Sequence, residues 1–297
     1  MSIGASGKFS ERDAAMSLGK NGVSAARKIT RSRPHISYLS IVSTGSIRFP
    51  PLVMLHGVGS SADTWRRLVP HLIVGEIIAP DYRGHGHADC PAPPYHLDDF
   101  VEDILRLMDE CSIASAHFLG FSIGALFAEK LALDYPSRVK SLILLNSIAD
   151  RTREQQQRSR ERLDFLSIHP PAETAPAAAA RWFTPAFREA HADLVEAEVG
   201  ITVDIAHAPY VAAYRVLVEN DLIDEVGAIS CPTLIMTGEL DEGSTPAMSK
   251  ALHQHINGSK LKILNGVKHY MHFERPEEVA RDINDFLELT NAAEAAR

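Results

Sequence analysis

Short, wholly apolar runs alternate with amphipathic segments along most of this chain. Leu52–Leu55 and Ser141–Leu145 are two such runs, and they are typical of parallel strands that are buried on both faces. Between them, Leu97–Cys111 places its apolar residues at the spacing of a helix with one buried face. Strands that alternate with helices form right-handed βαβ units. The pattern therefore predicts an α/β fold with a doubly wound, mostly parallel sheet.

The alternation is interrupted once. Residues 149–222 are rich in Ala, Arg and Glu and predict several helices but no strand, and the sheet pattern resumes at Thr233–Thr237. We therefore predict a core formed by residues 34–148 and 223–297, with residues 149–222 inserted between them as a helical cap. Residues 1–33 are rich in Ser, Gly and Ala with scattered basic side chains, which predicts a flexible basic N-terminal extension.

The composition argues against several classes of protein. A formal net charge of −8 is unfavourable for a nucleic-acid-binding protein, which needs an excess of basic side chains on one face. No apolar run approaches the length of a membrane-spanning helix, so we expect no membrane partner. The three cysteines, Cys90, Cys111 and Cys231, are widely spaced and odd in number. This usage favours a reducing cytoplasm over a disulfide-bonded scaffold, and we expect a cytoplasmic protein.

The most specific local signal is the pentapeptide Gly-Phe-Ser-Ile-Gly at Gly120–Gly124. It lies between a predicted strand at Ala116–Leu119 and a predicted helix that begins at Ala125. In this context a G-x-S-x-G motif forms a tight turn that exposes the serine hydroxyl above the edge of the sheet. The start of the helix also directs backbone N–H groups toward a developing oxyanion. The motif therefore predicts Ser122 as a nucleophile.

A second glycine-rich turn lies upstream, where Leu52–Leu55 runs directly into His56-Gly57-Val58-Gly59. A turn of this kind can present a backbone N–H group to a substrate oxygen. We predict that the amides of Val58 and Ile123 form an oxyanion hole. For His56 itself we favour a structural hydrogen-bonding role, because the backbone provides the chemistry at this turn.

A serine nucleophile needs a base and a carboxylate that orients the base. Asp241 follows the predicted strand Thr233–Thr237, and His269 follows the predicted strand Leu261–Leu264. Both positions are carboxyl ends of strands, where open α/β sheets build their sites. We therefore favour Asp241 and His269 for these roles. The residues that compete with them are Glu239, Glu242, Asp150 and His272.

Two pairs of histidines are spaced two residues apart, but neither pair predicts a metal site. His85 and His87 belong to a glycine-rich turn. His253 and His255 lie in a predicted helix, where residues two apart point to different faces. We therefore predict that the protein binds no metal.

Three aromatic residues of the predicted cap are candidates for an apolar part of a substrate pocket. They are Trp182, Phe183 and Phe187. Large aromatic side chains also dominate the packing of protein cores. The alternative is therefore that these three residues only hold the helices of the cap together.

Five motifs occur along the chain in an order that is found in one large family. They are His56-Gly57, Asp81-Tyr82-Arg83-Gly84-His85-Gly86, Gly120–Gly124, Gly238…Asp241 and His269…Pro276. Across roughly residues 50–289 the chain resembles the α/β-hydrolases. The resemblance implies an α/β-hydrolase fold with a helical cap, Ser122 as nucleophile, Asp241 as acid and His269 as base. It also implies that the amides of Val58 and Ile123 bind the oxyanion.

Within this family the chain is most similar to the 3-oxoadipate enol-lactonases, through Arg181–Phe187 and Tyr210–Tyr214. We therefore predict a serine hydrolase that cleaves a small carboxylic ester or enol-lactone through an acyl-enzyme and needs no cofactor. A hydrolase of carbon–carbon bonds in ring-fission products would use the same triad and is the first alternative. A ligand-binding receptor on a hydrolase fold is a more remote one. In each case we expect the partner to be a small molecule.

Overall fold

The computed structural model describes residues 16–17, 23–43 and 50–296. Within these residues, nine strands form one sheet in the order β1-β2-β3-β5-β4-β6-β7-β8-β9. The first three neighbouring pairs in this order are antiparallel and the remaining pairs are parallel. The predicted doubly wound, mostly parallel sheet is therefore confirmed.

The strands are β1 (Met16–Ser17), β2 (Val23–Ile29), β3 (Ser37–Ser43), β4 (Leu52–Leu55), β5 (Glu76–Pro80), β6 (Ala116–Phe121), β7 (Val139–Leu145), β8 (Thr233–Gly238) and β9 (Lys260–Leu264). The α-helices are α1 (Leu97–Glu110), α2 (Ile123–Asp134), α3 (Arg153–Ile168), α4 (Pro171–Trp182), α5 (Pro185–Ala190), α6 (Ala192–Val203), α7 (His207–Glu219), α8 (Pro246–His255), α9 (Met271–Glu274) and α10 (Pro276–Ala295). Short 3-10 helices occupy Ala62–Arg67, Val69–His71, Pro136–Arg138 and Val226–Ala228.

The central strands are apolar on both faces because the sheet is covered on both sides. In β7, Leu142 and Leu144 pack into one hydrophobic cluster, which includes apolar residues of α1 and α2. The alternate residues Ile143 and Leu145 pack into a second cluster, which includes residues of α10. Side chains alternate between the two faces of a strand, so a strand covered on both faces must be apolar at every position.

Five helices, α3–α7, lie between β7 and β8 and form the region that we call the cap. Its attachment to the rest of the molecule includes a buried carboxylate. Glu198 on α6 lies 2.7 Å from the guanidinium group of Arg66 and accepts a 2.6 Å hydrogen bond from the Thr64 hydroxyl. A charge is buried at low cost only when it is paired and hydrogen-bonded, so these partners fix α6 against the core.

The N-terminal segment differs from the prediction of a flexible extension over residues 1–33. Val23–Ile29 is strand β2, and it pairs antiparallel with β3 over its full length. Arg27 in this strand forms ion pairs with Asp63 at 2.8 Å and with the buried Asp81 at 2.6 Å. The strand is thus held by nonlocal pairing and charge rather than by an apolar pattern of its own. The other residues of the predicted extension before Val23 lie outside the described part of the chain, except for the two of β1.

In the part of the chain that the structure describes, no helix combines the length and the apolar character needed to cross a membrane.

Candidate active site

Ser122 stands at the turn between β6 and α2. Its backbone has φ of 56° and ψ of −118°, a conformation that is rare for a residue with a side chain. The turn is tight enough that its glycines cannot be replaced. A Cβ atom at Gly124 would lie 2.1 Å from the carbonyl oxygen of Leu55, and one at Gly120 would lie 2.3 Å from that of Gly124. Close packing of backbone on backbone therefore holds the serine in its strained position.

A cavity of about 430 Å³ lies between the carboxyl ends of the strands and the cap. Ser122, Asp241 and His269 all line this cavity, together with Gly57 and Val58. The site residues predicted from strand ends are therefore brought to one place, although 147 positions separate Ser122 from His269. Among the described residues, the Ser122 hydroxyl and His269 form no hydrogen bond with each other. Such bonds often form only when substrate is bound.

Asp241 and His269 are joined directly. The Nδ1 atom of His269 lies 2.6 Å from Oδ2 of Asp241, a carboxylate that is 4% exposed. Burial alone would raise the pKa of Asp241. The charge of His269 and the hydrogen bonds from His269, Asn146 and Ser244 outweigh it, and the pKa is lowered below its usual value. Asp241 is thus held as a carboxylate.

The carboxylate of Asp241 is fixed by further donors. The side-chain amide of Asn146 donates to Oδ2 at 2.8 Å, and the backbone amides of Gly243 and Ser244 donate to Oδ1 at 2.9 and 3.0 Å. Asn146 directly follows β7 and has a positive φ of 50°. The sequence analysis did not predict a role for Asn146, because its only signal is that a polar residue follows a central strand.

The competing residues make other contacts, although Glu242 also lines the cavity. Asp150 is exposed, and its backbone amide binds Asp221. Glu239 accepts a hydrogen bond from the amide of Gly266, and Glu242 lies 3.5 Å from the ammonium group of Lys268. His272 is fully buried between aromatic rings, and burial lowers its pKa to about 3. Within the described residues, only Asp241 among these carboxylates contacts a histidine that lines the cavity.

The amide of Val58 lies in the turn after β4, and the amide of Ile123 directly follows Ser122. Ile123 is the first residue of α2, so its N–H group has no partner within the helix. Val58 lines the cavity in the turn that follows β4. In the described part of the chain, neither of these two N–H groups donates a hydrogen bond to another backbone carbonyl outside the regular elements. Both are therefore available to a ligand.

Of the three aromatic residues predicted for the pocket, the structure places one in the cavity lining and two in the core. Trp182 lines the cavity. Phe183 and Phe187 do not, which corrects the prediction for both. They stack on each other with ring centroids 5.5 Å apart and pack against Phe273 on α9. Helix α4 ends at Trp182 and the backbone of Phe183 and Thr184 is extended before α5 begins at Pro185, and both rings are buried in the hydrophobic cluster of the core.

The cap contributes four arginines to the lining of the cavity, Arg151, Arg158, Arg162 and Arg181. Arg151 is held by Asp221 and by backbone carbonyls, and Arg158 lies 3.8 Å from Glu154. Among the described residues, Arg162 and Arg181 have no carboxylate partner. Desolvation, followed by the charge of Arg162, lowers the pKa of Arg181. The cap thus presents two guanidinium groups without an ion-pair partner among the described residues to a cavity that Asp241 and Glu242 also line, and the sequence alone did not predict this feature.

Within residues 16–17, 23–43 and 50–296, no group of three or more His, Cys, Asp or Glu side chains is arranged to hold a metal ion. Of the histidine pairs considered from the sequence, His85 is buried and His87 is exposed. The ring of His253 lies near the Ser259 hydroxyl, and that of His255 lies near the carbonyl of Ala251.

Comparison with known proteins assigns this architecture to a family. A model of the alpha/beta hydrolase fold matches residues 50–276. The chain therefore belongs to the alpha/beta hydrolase family and is a hydrolase.

Individual relatives narrow the comparison. The chain is 30% identical over 244 residues to 3-oxoadipate enol-lactonase 2 of Acinetobacter baylyi, and the match covers 80% of this chain and 89% of the relative. It is 28% identical to (E)-2-((N-methylformamido)methylene)succinate hydrolase of the same organism, over 81% of this chain and 91% of the relative. The crystal structure of the enol-lactonase from Burkholderia xenovorans LB400 superposes with a TM-score of 0.77 at 26% identity, and the match covers 88% of this chain and 100% of that one.

Proposed function

We propose that this hydrolase cleaves a small carboxylic ester or lactone through an acyl-enzyme formed on Ser122. The observation that carries the proposal is the 2.6 Å contact between His269 and Asp241 in a cavity that is also lined by Ser122. A serine on a strained turn, a histidine and a buried carboxylate are the three parts that nucleophilic catalysis by serine requires.

In the first step, Ser122 Oγ attacks the acyl carbon of the substrate. Because Nδ1–H of His269 donates to Asp241, Nε2 of the ring is the atom that accepts the serine proton. The N–H groups of Val58 and Ile123 then bind the oxyanion of the tetrahedral intermediate. His269 returns its proton to the leaving oxygen, and the bond between the acyl carbon and that oxygen breaks.

In the second step, water replaces the leaving group. His269 Nε2 takes a proton from this water, which attacks the acyl-enzyme. The second tetrahedral intermediate collapses, and Ser122 leaves with the proton that His269 returns to it. In both steps Asp241 stabilises the charged imidazolium without itself becoming protonated, which agrees with its lowered pKa.

For the substrate we propose an enol-lactone that carries a free carboxylate. The enol-lactone of 3-oxoadipate, a dicarboxylic acid, keeps one carboxylate when the other is closed into the ring, and the enol-lactonases are among this chain's relatives. In the cavity, Arg162 and Arg181 are the groups suited to that carboxylate, because guanidinium groups bind carboxylates with paired hydrogen bonds.

The test is the rate of hydrolysis of 3-oxoadipate enol-lactone by the wild-type protein and by Ser122→Ala. The proposal predicts fast turnover that depends on Ser122. Turnover of neutral esters without turnover of the lactone would preserve the serine mechanism but refute the substrate. Serine-dependent cleavage of ring-fission diketones alone would instead favour a carbon–carbon bond hydrolase, and binding without turnover of any substrate would favour a receptor.

A further inference from the structure

Two buried histidines, one in the loop that carries Val58 and one in a neighbouring loop, are not used by the proposed mechanism. His56 is 0% exposed and His85 is 2% exposed, and their ring centroids are 5.5 Å apart. His56 belongs to the 56–59 turn after β4, and His85 belongs to the 82–86 turn after β5. The two rings therefore lie where the loop after β4 meets the loop after β5.

Each ring makes two hydrogen bonds to the backbone, one within its own loop and one to the loop of the other histidine. In His56, Nδ1 lies 2.8 Å from the carbonyl of Gly57 in its own loop, and Nε2 accepts the N–H of Tyr82 in the other loop at 3.4 Å. In His85, Nδ1 lies 3.2 Å from the carbonyl of Arg83 in its own loop, and Nε2 accepts the N–H of Gly59 in the other loop at 3.1 Å. Each histidine thus ties its own loop to its neighbour's.

These contacts require one tautomer for both rings. A carbonyl oxygen only accepts hydrogen bonds, so Nδ1 must carry the proton, and Nε2 is then free to accept. Burial lowers the pKa of each histidine to about 3, so both rings are neutral near pH 7.

Val58 lies between the two residues that the histidines hold. The carbonyl of Gly57 and the N–H of Val58 belong to one planar trans peptide, in which they point in opposite directions. A bond to the Gly57 carbonyl therefore also sets the direction of the Val58 N–H. The bond to the N–H of Gly59 fixes the following peptide in the same way. From the cap, Thr202 donates to the carbonyl of Gly59 at 2.5 Å.

We propose that His56 and His85 are positioning residues that together aim the N–H of Val58 at the oxyanion of the reaction. The proposal rests on the proposed serine hydrolase function. Preorganised donors stabilise the transition state because they need no reorientation during the reaction. Loosening this loop is therefore expected to affect the transition state much more than the binding of substrate.

The test uses two variants of His85 that differ in reach. In His85→Asn, the shorter amide can still bond the Arg83 carbonyl but does not reach Gly59. In His85→Gln, the longer side chain places an oxygen near the former Nε2 position. The matched control is His117→Asn, which changes another fully buried histidine, on β6, whose Nδ1 lies 2.8 Å from the Ser141 hydroxyl.

The readouts are kcat and KM for a neutral p-nitrophenyl ester, and the inhibition constant of a trifluoromethyl ketone that forms a tetrahedral adduct with the serine. We expect His85→Asn to lower kcat by about 10- to 100-fold, less than the loss of a whole oxyanion donor, with KM within about twofold. The affinity for the ketone should fall by the same factor as kcat. His85→Gln should recover most of both, and His117→Asn should leave both near the wild-type values.

The proposal is overturned if His85→Asn keeps the kcat and ketone affinity of His117→Asn while the wild type shows serine-dependent turnover. If the wild type shows no such turnover, the proposed function fails first. Imidazole ¹⁵N chemical shifts of the wild-type protein give a second test that needs no variant. They should report protonated Nδ1 and unprotonated Nε2 in both histidines. A protonated Nε2 in either ring would refute the proposed positioning of the Val58 N–H even if His85→Asn does not fold.

Discussion

The two walls of the cavity are built differently. On the core wall, Asp241 accepts hydrogen bonds from His269, Asn146 and two backbone amides, and the turn at Ser122 is packed backbone against backbone. On the cap wall, Arg162 and Arg181 face the cavity with no carboxylate partner among the described residues. The core wall has little freedom to change, whereas the cap wall carries guanidinium groups to which an anionic ligand can bind. We therefore propose that the core wall carries the chemistry and that the cap wall selects the substrate.

The cap itself is not uniform. Apolar residues of α4–α6 belong to the same hydrophobic cluster as Trp65 and Phe273 of the core. Helix α3 buries only Leu163 and Leu166, and it leaves Phe165 and Ile168 exposed. The helix that supplies Arg162 thus has few buried positions, and changes on its exposed surface should be tolerated by the fold.

Removing the nucleophile should have the largest effect. Ser122→Ala is expected to lower kcat by about 10⁴-fold or more, because members of a triad act as one unit. The effect should appear in steady-state hydrolysis of any good substrate, with the midpoint of thermal unfolding close to that of the wild type. Activity within tenfold of the wild type would remove Ser122 from the mechanism.

Adding a methyl group at the turn that carries Ser122 should lower the stability of the folded protein. In Gly124→Ala, the new methyl group would meet the carbonyl oxygens of Leu55 and His56, so we expect a loss of about 3 kcal/mol or more in the free energy of unfolding. Gly200→Ala in the cap is the matched control. Nothing lies within 4 Å of its new methyl group, and a gain of up to about 1 kcal/mol is expected. Equal urea midpoints for the two variants would contradict the difference between the walls.

The charge of the cap wall should act on binding. Arg162→Ala is expected to raise KM for an anionic lactone by about 10- to 100-fold, the loss of one charge-assisted pair, and to leave KM for a neutral ester unchanged. Arg160→Ala on the same helix is the control, because Arg160 is exposed and does not line the cavity. Equal changes in KM for the anionic and the neutral substrate would show that Arg162 does not bind the carboxylate of the substrate.

A smaller effect concerns pH and a buried acid of the core. Burial raises the pKa of Glu129 to about 8, partly offset by the hydrogen bond from the Ser147 hydroxyl. Between the usual carboxyl pKa and about 8, the unfolded chain binds fewer protons than the folded one, so stability falls as pH rises.

Glu129→Gln removes this dependence, and its free energy of unfolding relative to the wild type should increase by about 1–2 kcal/mol between pH 5.5 and pH 8. His56, His85 and His272, whose pKa values are lowered to about 3, have the opposite dependence below their usual pKa. They are present in both proteins, so they cancel in the difference. Urea unfolding of the wild type and of Glu129→Gln at the two pH values measures the difference in their free energies of unfolding. A difference that does not change with pH would contradict the raised pKa of Glu129.

Much of the fold follows from local patterns. The bounds predicted for Leu52–Leu55 agree with β4, and the helix predicted over Leu97–Cys111 agrees with α1 to within one residue. Each has a strong signal of its own, an apolar run in the strand and apolar residues at helical spacing in the helix. Strand β2 has no such signal. Its residues are mostly Ser, Ala, Arg and Lys, and Arg27 is held by carboxylates 36 and 54 positions away. Nonlocal partners of this kind are invisible to periodicity.

The residues of the candidate site also differ in whether a local sequence pattern predicts them. Ser122, Asp241 and His269 could be proposed from motifs at strand ends, because a parallel sheet brings those ends together. Asn146 was not found, since one asparagine after a strand has no distinctive context. The lack of a carboxylate partner for Arg162 and Arg181 among the described residues also could not be predicted, because it depends on which carboxylates the fold places within their reach.

The most direct test of the central claim is the mass of the protein during turnover. An activated ester is mixed with the wild-type enzyme and with Ser122→Ala, the reaction is quenched with acid in the millisecond range, and intact and peptide masses are measured. We predict an initial burst of about one leaving group per wild-type chain and an acyl adduct on the peptide that contains Ser122, both absent from the variant. A serine-dependent turnover with no acyl adduct at any quench time, or an adduct on another residue, would contradict it.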